Sequence, residues 1–245
     1  MERNTAKRTL EKLLSVCICL CMLGAMLPAQ VFAEETDTAQ TEIVQDTAPK
    51  DTVYLSSADD LIQLAKNCRL DSWSQNRTVV LEADIDLSSV DFNGIPSFGG
   101  TWEGQNHAIT GLSLSQDGSV QGLFRYVQQG ALVRDMTVKG RIKPGGTRAS
   151  VGGIAGSNAG TLHNCRFEGV SSGASVVGGI AGTNLAAGVI ESCTTTGSVY
   201  GAHFIGGIAG ENHGIIANCT NTSSVNTTVE QNDIDLSSLT LNDLI

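Results

Sequence analysis

From about residue 78 to 228 the chain alternates apolar and polar positions in short runs, and glycine cuts the runs at near-regular intervals. Alternation with a period of two marks half-buried strands. One phrase sets the spacing. Val151-Gly152-Gly153-Ile154-Ala155-Gly156 recurs as Val177-Gly178-Gly179-Ile180-Ala181-Gly182 and as Ile205-Gly206-Gly207-Ile208-Ala209-Gly210, in steps of 26 and 28 residues. Cys165, Cys193 and Cys219 follow the three copies. A repeat of this length is one coil of a stacked solenoid, in which each coil buries its apolar face on the next.

Alignment on the glycine phrase exposes earlier, degenerate coils, with Gly122-Leu123-Phe124 standing where Gly153-Ile154-Ala155 stands later. It predicts an inward column of Ile109, Val133, Leu162, Ile190 and Ile216. A second inward column follows three residues on: Leu112, Met136, Cys165, Cys193 and Cys219. Between them Gly111, Asp135, Asn164, Ser192 and Asn218 mark a bend. Leu114, Val138, Phe167 and Thr195 continue the second strand, and Gly140, Gly169 and Gly197 are expected to close it with a turn of positive φ. A strand, crossover and parallel strand is normally right-handed. The expectation is an all-β, right-handed parallel β-helix of about six or seven coils. A leucine-rich horseshoe has a similar period but needs several leucines per repeat, which these strands lack.

The first coil of a solenoid has to be covered. Ser57-Ala58-Asp59-Asp60 reads as a helix start, and Leu61, Ile62, Leu64 and Ala65 follow at helical spacing. Residues 53–77 are therefore expected to form an N-terminal cap built on a short helix, with Trp73 packed beneath it. Residues 78–228 are the β-helix, with repeats at about 151–170, 177–198 and 205–223. Residues 229–245 resemble the start of another strand or helix and read as a partial segment.

Residues 1–33 read as a secretory signal: a basic start, an apolar run from Leu13 to Leu27, and Val31-Phe32-Ala33 as the cleavage motif. The run is short for a membrane anchor, so no transmembrane segment is expected in the mature chain. Residues 34–52 are polar and acidic and read as a flexible linker. Removing the signal takes four basic and two acidic residues and moves the net charge from −10 to −12. That balance argues against nucleic acid as a partner, because phosphate contacts need clustered Lys and Arg. The expected setting is secreted or cell-surface.

The repeats GGIAGSNAGTLHNC, GGIAGTNLAAGVIESC and GGIAGENHGIIANC resemble the GLUG-motif repeats of Gram-positive bacterial surface proteins. Ala83-Asp84-Ile85-Asp86-Leu87, Phe98-Gly99-Gly100-Thr101-Trp102-Glu103-Gly104 and Ile109-Thr110-Gly111-Leu112 look like the opening that commonly precedes them. Such repeats occur in adhesin-like proteins and in non-catalytic regions of secreted immunoglobulin A peptidases. The resemblance covers about residues 53–228. It implies a secreted β-helix and carries no catalytic residue across.

The residues themselves offer little chemistry. His107, His163, His203 and His213 do not form HExxH, and no GxGxxG, P-loop or GxSxG is present. His203 and His213 lie ten apart in one coil and read as solvated surface residues. No aspartate lies between Asp135 and Asp233, and Glu168, Glu191 and Glu211 fall at different places in their coils. Asp84 and Asp86, with Asp91 nearby, are the weak candidates for Ca²⁺ binding or acid–base work. The plainer reading is a polar edge on the first coil. Arg125, Arg134, Lys139, Arg141, Lys143, Arg148 and Arg166 form a basic band, read either as an anionic-glycan contact or as a solvated face. Cys68, Cys165, Cys193 and Cys219 remain after the signal, enough for two disulfides. Equivalent positions in neighbouring coils stand about 4.8 Å apart, which favours a packed thiol ladder.

The function expected is a non-catalytic binding, adhesion or scaffold module. No cofactor is implied. The partner is an unknown host or cell-wall macromolecule, protein or glycan. The alternatives are an accessory N-terminal segment of a larger secreted peptidase and a carbohydrate-active β-helix.

Overall fold

The computed structural model describes residues 52–145 and 150–226. The signal at 1–33, the linker up to residue 51, Arg148 and the segment 229–245 lie outside the described residues. The described part is a β-solenoid of about six turns, and every strand pairing in it is parallel. Three sheets run along it: a long one of twelve strands, one of five and one of four. Coil-to-coil pairing lets each backbone amide in the interior find a partner in the next turn.

The ladder starts before the capping helix. Val53–Leu55 pairs with Thr78–Leu81, so the first strand lies in the stretch read from sequence as cap alone. Helix Ala58–Asn67 then leaves and returns. Ser57 caps it with extended backbone (φ −143°). Its Oγ accepts from the Asp60 amide at 3.2 Å and donates to Asp60 Oδ2 at 2.7 Å. Leu61 and Leu64 turn into the core, and Cys68 is buried behind them. Trp73 packs on the core edge with the Arg77 guanidinium 4.4 Å from its ring centre.

Each turn runs its two half-strands through one bend. Asp135, Asn164, Ser192 and Asn218 all sit there with φ between 48° and 57°. Short polar side chains tolerate that left-handed backbone, which explains the polar column. The first coils need a correction. Ile109 pairs with Val138, not Val133, while Val133 pairs with Trp102 and Leu114 with Ile142. An extra turn causes the shift: Gln105 (φ 49°) and Asn106 (φ 63°) are both left-handed, and the Asn106 amide donates to the Asp135 carbonyl at 2.7 Å. Gly111 (φ 69°) makes a separate bend over Asp86 and Ser88.

The glycines act mainly through closeness. Gly197 has φ 109°, but Gly140 and Gly169 lie inside strands Leu132–Ile142 and Thr161–Ser172 and make no turn. They stack in register, and a Cβ on Gly169 would strike the Gly140 carbonyl oxygen. Gly152–Gly153, Gly178–Gly179 and Gly206–Gly207 form the corner between the four- and five-stranded sheets. Amides there bond straight up the stack, Gly153 to the Gly179 carbonyl at 3.0 Å and Gly179 to Gly207 at 3.2 Å. A Cβ at Gly153 would enter the Phe167 ring, and one at Gly182 would come within 2.5 Å of the Val151 amide. Gly156 and Gly210 face the preceding turn in the same way.

The core changes character along the axis. Phe98, Trp102 and Phe124 fill the early turns with ring centres 5.1–5.9 Å apart. Later turns are thinner, with Ile154 on Ile180 and Ala155 on Ala181, all fully buried.

Candidate binding surface

The inward half of the long sheet is closed to chemistry. Cys165 and Cys193 are buried, Cys219 is half-buried, and all of them, like Cys68, are free thiols. They form the expected ladder. The Cys165 amide lies 3.4 Å from Cys193 Sγ, and Cys193 Sγ donates to the Leu162 carbonyl at 3.5 Å. Burial pushes the Cys68 thiol up to about 11. The Cys165 sulfur raises Cys193 and the Cys193 sulfur raises Cys219, which favours the protonated thiol at both.

A second ladder escaped the reading of the sequence. Asn158 and Asn184 are fully buried, and each Nδ2 donates to the next Oδ1, Asn158 to Asn184 and Asn184 to Asn212, at 2.8 Å each. Asn158 also accepts from the Gly160 amide at 3.2 Å. The signal was present: an asparagine stands six residues after the first glycine of every repeat. Buried amides persist because the stack satisfies them.

The outward half of the long sheet carries the charge. Glu103, Arg134, His163 and Glu191 stack in register. Arg134 grips Glu103 with Nε at 2.7 Å and Nη2 at 2.9 Å, and His163 Nδ1 lies 3.4 Å from Glu191. One column over, Lys139 meets Glu168 at 2.9 Å and Arg166 reaches the same carboxylate at 3.2 Å. Lys139 and then Arg166 hold the Glu168 carboxyl below the usual range, and the Glu103 hydrogen bond holds Arg134 above its own. The basic band is therefore largely interleaved with acids. Arg141 and Lys143 continue it with no ion pair among the described residues. Between the charges Thr137, Thr194 and Thr220 share one column with Arg166.

Arg125 is elsewhere. It lines a cavity of about 240 Å³ beside the capping helix, with Lys66, Arg69 and Asp91. Asp91 lines that cavity, and the described residues hold no grouping of it with Asp84 and Asp86 suited to a metal ion. Asp84 and Asp86 are exposed, Asp84 just before the edge strand Ile85–Asp86 and Asp86 within it. Asp84 Oδ1 accepts from the Ala108 amide at 2.8 Å and lies 3.1 Å from His107 Nδ1. Asp86 accepts from the Ser88 amide at 3.0 Å and from its hydroxyl at 2.9 Å. These bonds, the Ala108 and Ser88 amides foremost, lower both carboxyl groups. Among the described residues no three His, Cys, Asp or Glu side chains are grouped to hold a metal ion. His203 and His213 are both exposed, the latter 3.7 Å from Glu211.

No helix among the described residues is long and apolar enough to cross a membrane. No protein-family model matches the chain. It is similar to halomucin of Haloquadratum walsbyi, 28% identical over 172 residues, and it spans 63% of its own length but about 2% of that protein's. It is also similar to the crystal structure of a putative immunoglobulin A1 protease from Bacteroides ovatus, at 19% identity and a TM-score of 0.46, covering 70% of this chain and 66% of that one.

Proposed function

We propose that this chain is the β-solenoid module of a secreted or cell-surface protein and binds a macromolecular partner without catalysis. The outward face of the long sheet supports that reading. It is a parallel ladder in which Glu103, Arg134, His163 and Glu191 repeat at one strand spacing, with the column Thr137, Arg166, Thr194 and Thr220 beside them. Such a surface offers hydrogen-bond donors and acceptors at fixed spacing and suits a long polymer, either a cell-wall or host glycan or an extended protein. The partial likeness to halomucin agrees with a surface setting. The finer assignment, to GLUG-motif repeats, rests on the three GGIAG phrases.

The test is binding of the chain to purified cell-wall polysaccharide and to immobilised host matrix proteins. Arg141→Glu combined with Lys143→Glu reverses two exposed charges that make no ion pair among the described residues. We expect it to weaken binding at least tenfold, about 1.4 kcal/mol, with unchanged melting. Equal binding by the double variant would place the contact elsewhere. Turnover of an anionic polysaccharide, lost in Asp84→Asn, would move the reading to a carbohydrate-active solenoid.

A further inference from the structure

The glycine phrase breaks at one place, and a cavity opens there. By register Arg125 stands where Gly156 stands in the next turn, between the pairs Phe124–Ala155 and Tyr126–Ser157. Gly182 and Gly210 continue that column. Glycine is required where a strand of the four-stranded sheet lies against it: a Cβ on Gly156 would come within 2.8 Å of the Gln121 amide. That sheet begins with Val120–Gln121, so no such strand stands before Arg125. Arg125 and, one turn earlier, Pro96 therefore carry full side chains. Helix Ala58–Asn67 bounds the space instead.

The space is the cavity of about 240 Å³. It lies just under the range of about 300–1,000 Å³ that drug-sized ligands occupy, and suits one small ring. Lys66, Arg69 and Arg125 line it against a single carboxylate, Asp91. None of the three cations makes an ion pair among the described residues. Arg125 Nε donates to the Val120 carbonyl at 3.1 Å, which holds the guanidinium while both Nη amines keep no acceptor among the described residues. Lys66 and Arg69 are exposed and are not needed to finish the helix. Its last carbonyls, on Leu64, Lys66 and Asn67, already accept from the amides of Cys68, Arg69 and Leu70 at 2.9, 3.3 and 3.2 Å. Ile62, Phe92 and Pro96 add an apolar wall. An arginine fork matches a carboxylate, and Asp91 can accept only from donors such as hydroxyl groups. The lining thus fits a ring with one carboxylate, several hydroxyls and an apolar face.

A wider, open hollow of about 680 Å³ shares Pro96 with this cavity. Tyr126, 44% exposed, offers it an apolar ring face and a hydroxyl. Gln128 is fixed there by Nε2 bonds to the Ser97 hydroxyl at 2.7 Å and the Asp71 carbonyl at 2.8 Å. We infer that the two hollows together bind an acidic oligosaccharide. A carboxylated sugar enters the cavity beside the helix, with its carboxylate on Arg125, and the next sugar of the chain lies on Tyr126. No residue lining either hollow belongs to the long sheet, so this site does not depend on the proposed function.

The whole chain is titrated calorimetrically with a galacturonate trimer and with a hyaluronan tetrasaccharide, two sources of a carboxylated ring. We expect at least one to bind with a Kd below about 1 mM. Lys66→Ala combined with Arg69→Ala changes exposed residues only and should weaken that binding about tenfold, with unchanged melting and a smaller salt dependence. Arg125→Lys keeps the charge, loses the fork and should weaken it about threefold. Tyr126→Ala should weaken it about fivefold. Arg141→Glu combined with Lys143→Glu should leave it unchanged, which separates this site from the outward face of the long sheet. Binding of neither acidic probe overturns the inference. So does neutral galactotriose bound as tightly as the galacturonate trimer, or inorganic phosphate bound as tightly, since the cavity would then hold any sugar or any anion. Full affinity in the Lys66 and Arg69 double variant also overturns it.

Discussion

At the first turn, helix Ala58–Asn67 lays Leu61 and Leu64 over a core of Leu55, Leu81 and the Phe98–Trp102–Phe124 cluster. At the last described turn, Ile216 is 36% exposed, although its counterparts Leu162 and Ile190 are sealed. The repeat chemistry is equal or better at the open end, where the glycine phrase is intact and the asparagine ladder continues to Asn212. Burial in a solenoid is thus set by whether a neighbour exists, and the quality of the repeat does not substitute for one.

The largest expected effect lies between the ends. Cys193→Asp puts an unpaired carboxylate between Cys165 and Cys219, and we expect it to cost about 4 kcal/mol or to unfold the adjoining turns. Urea titration checks this, and an unchanged midpoint would mean that the thiol column is not sealed. The next contrast uses one residue type at two places. Ile190→Ala should cost about 3 kcal/mol, in the usual range for a sealed isoleucine. Ile216→Ala should cost about 1 kcal/mol if that end is bare. Equal losses in denaturant titrations would show that the two positions are sealed alike.

A smaller effect probes the closed end. Ser57→Ala removes the helix cap and should cost about 1 kcal/mol, read as a lower melting temperature. The Ser57 hydroxyl, then the Ser56 amide, hold the Asp60 carboxyl below its ordinary 3.8. A lowered folded value gives stability that is full above the unfolded pKa and is lost as pH falls through the folded one. Wild type should therefore lose melting temperature below about pH 4, and Ser57→Ala should lose less over the same range. The smallest effect is on the outward face. Thr196→Lys sits in strand Thr194–Tyr200 opposite Glu168, and its melting should stay within about 0.5 kcal/mol of wild type.

Much of this was legible in the chain because the ladder turns sequence period into spatial contact. The Cys165–Cys193–Cys219 column and the bend at Asp135, Asn164, Ser192 and Asn218 follow from counting along the repeat. Counting failed where the period broke. Gln105 and Asn106 insert a left-handed turn, so Ile109 met Val138. The asparagines repeat regularly, but a polar residue in a strand ordinarily marks an exposed position, so only the stack reveals Asn158 and Asn184 as interior.

Period, bends and inward columns were determined by the sequence alone, since each depends on residues a fixed distance apart in one strand and its copy. Only the tertiary structure decided which charges neutralise one another, as Arg134 does with Glu103 and Lys139 with Glu168. It alone showed that Gly140 and Gly169 serve close stacking and make no turn. It also showed Asp91 lining a cavity beside the helix, and Asp84 and Asp86 bound to the Ala108 and Ser88 amides. These outcomes turn on side-chain reach and on gaps of a few ångströms between successive turns, which spacing along a chain does not encode.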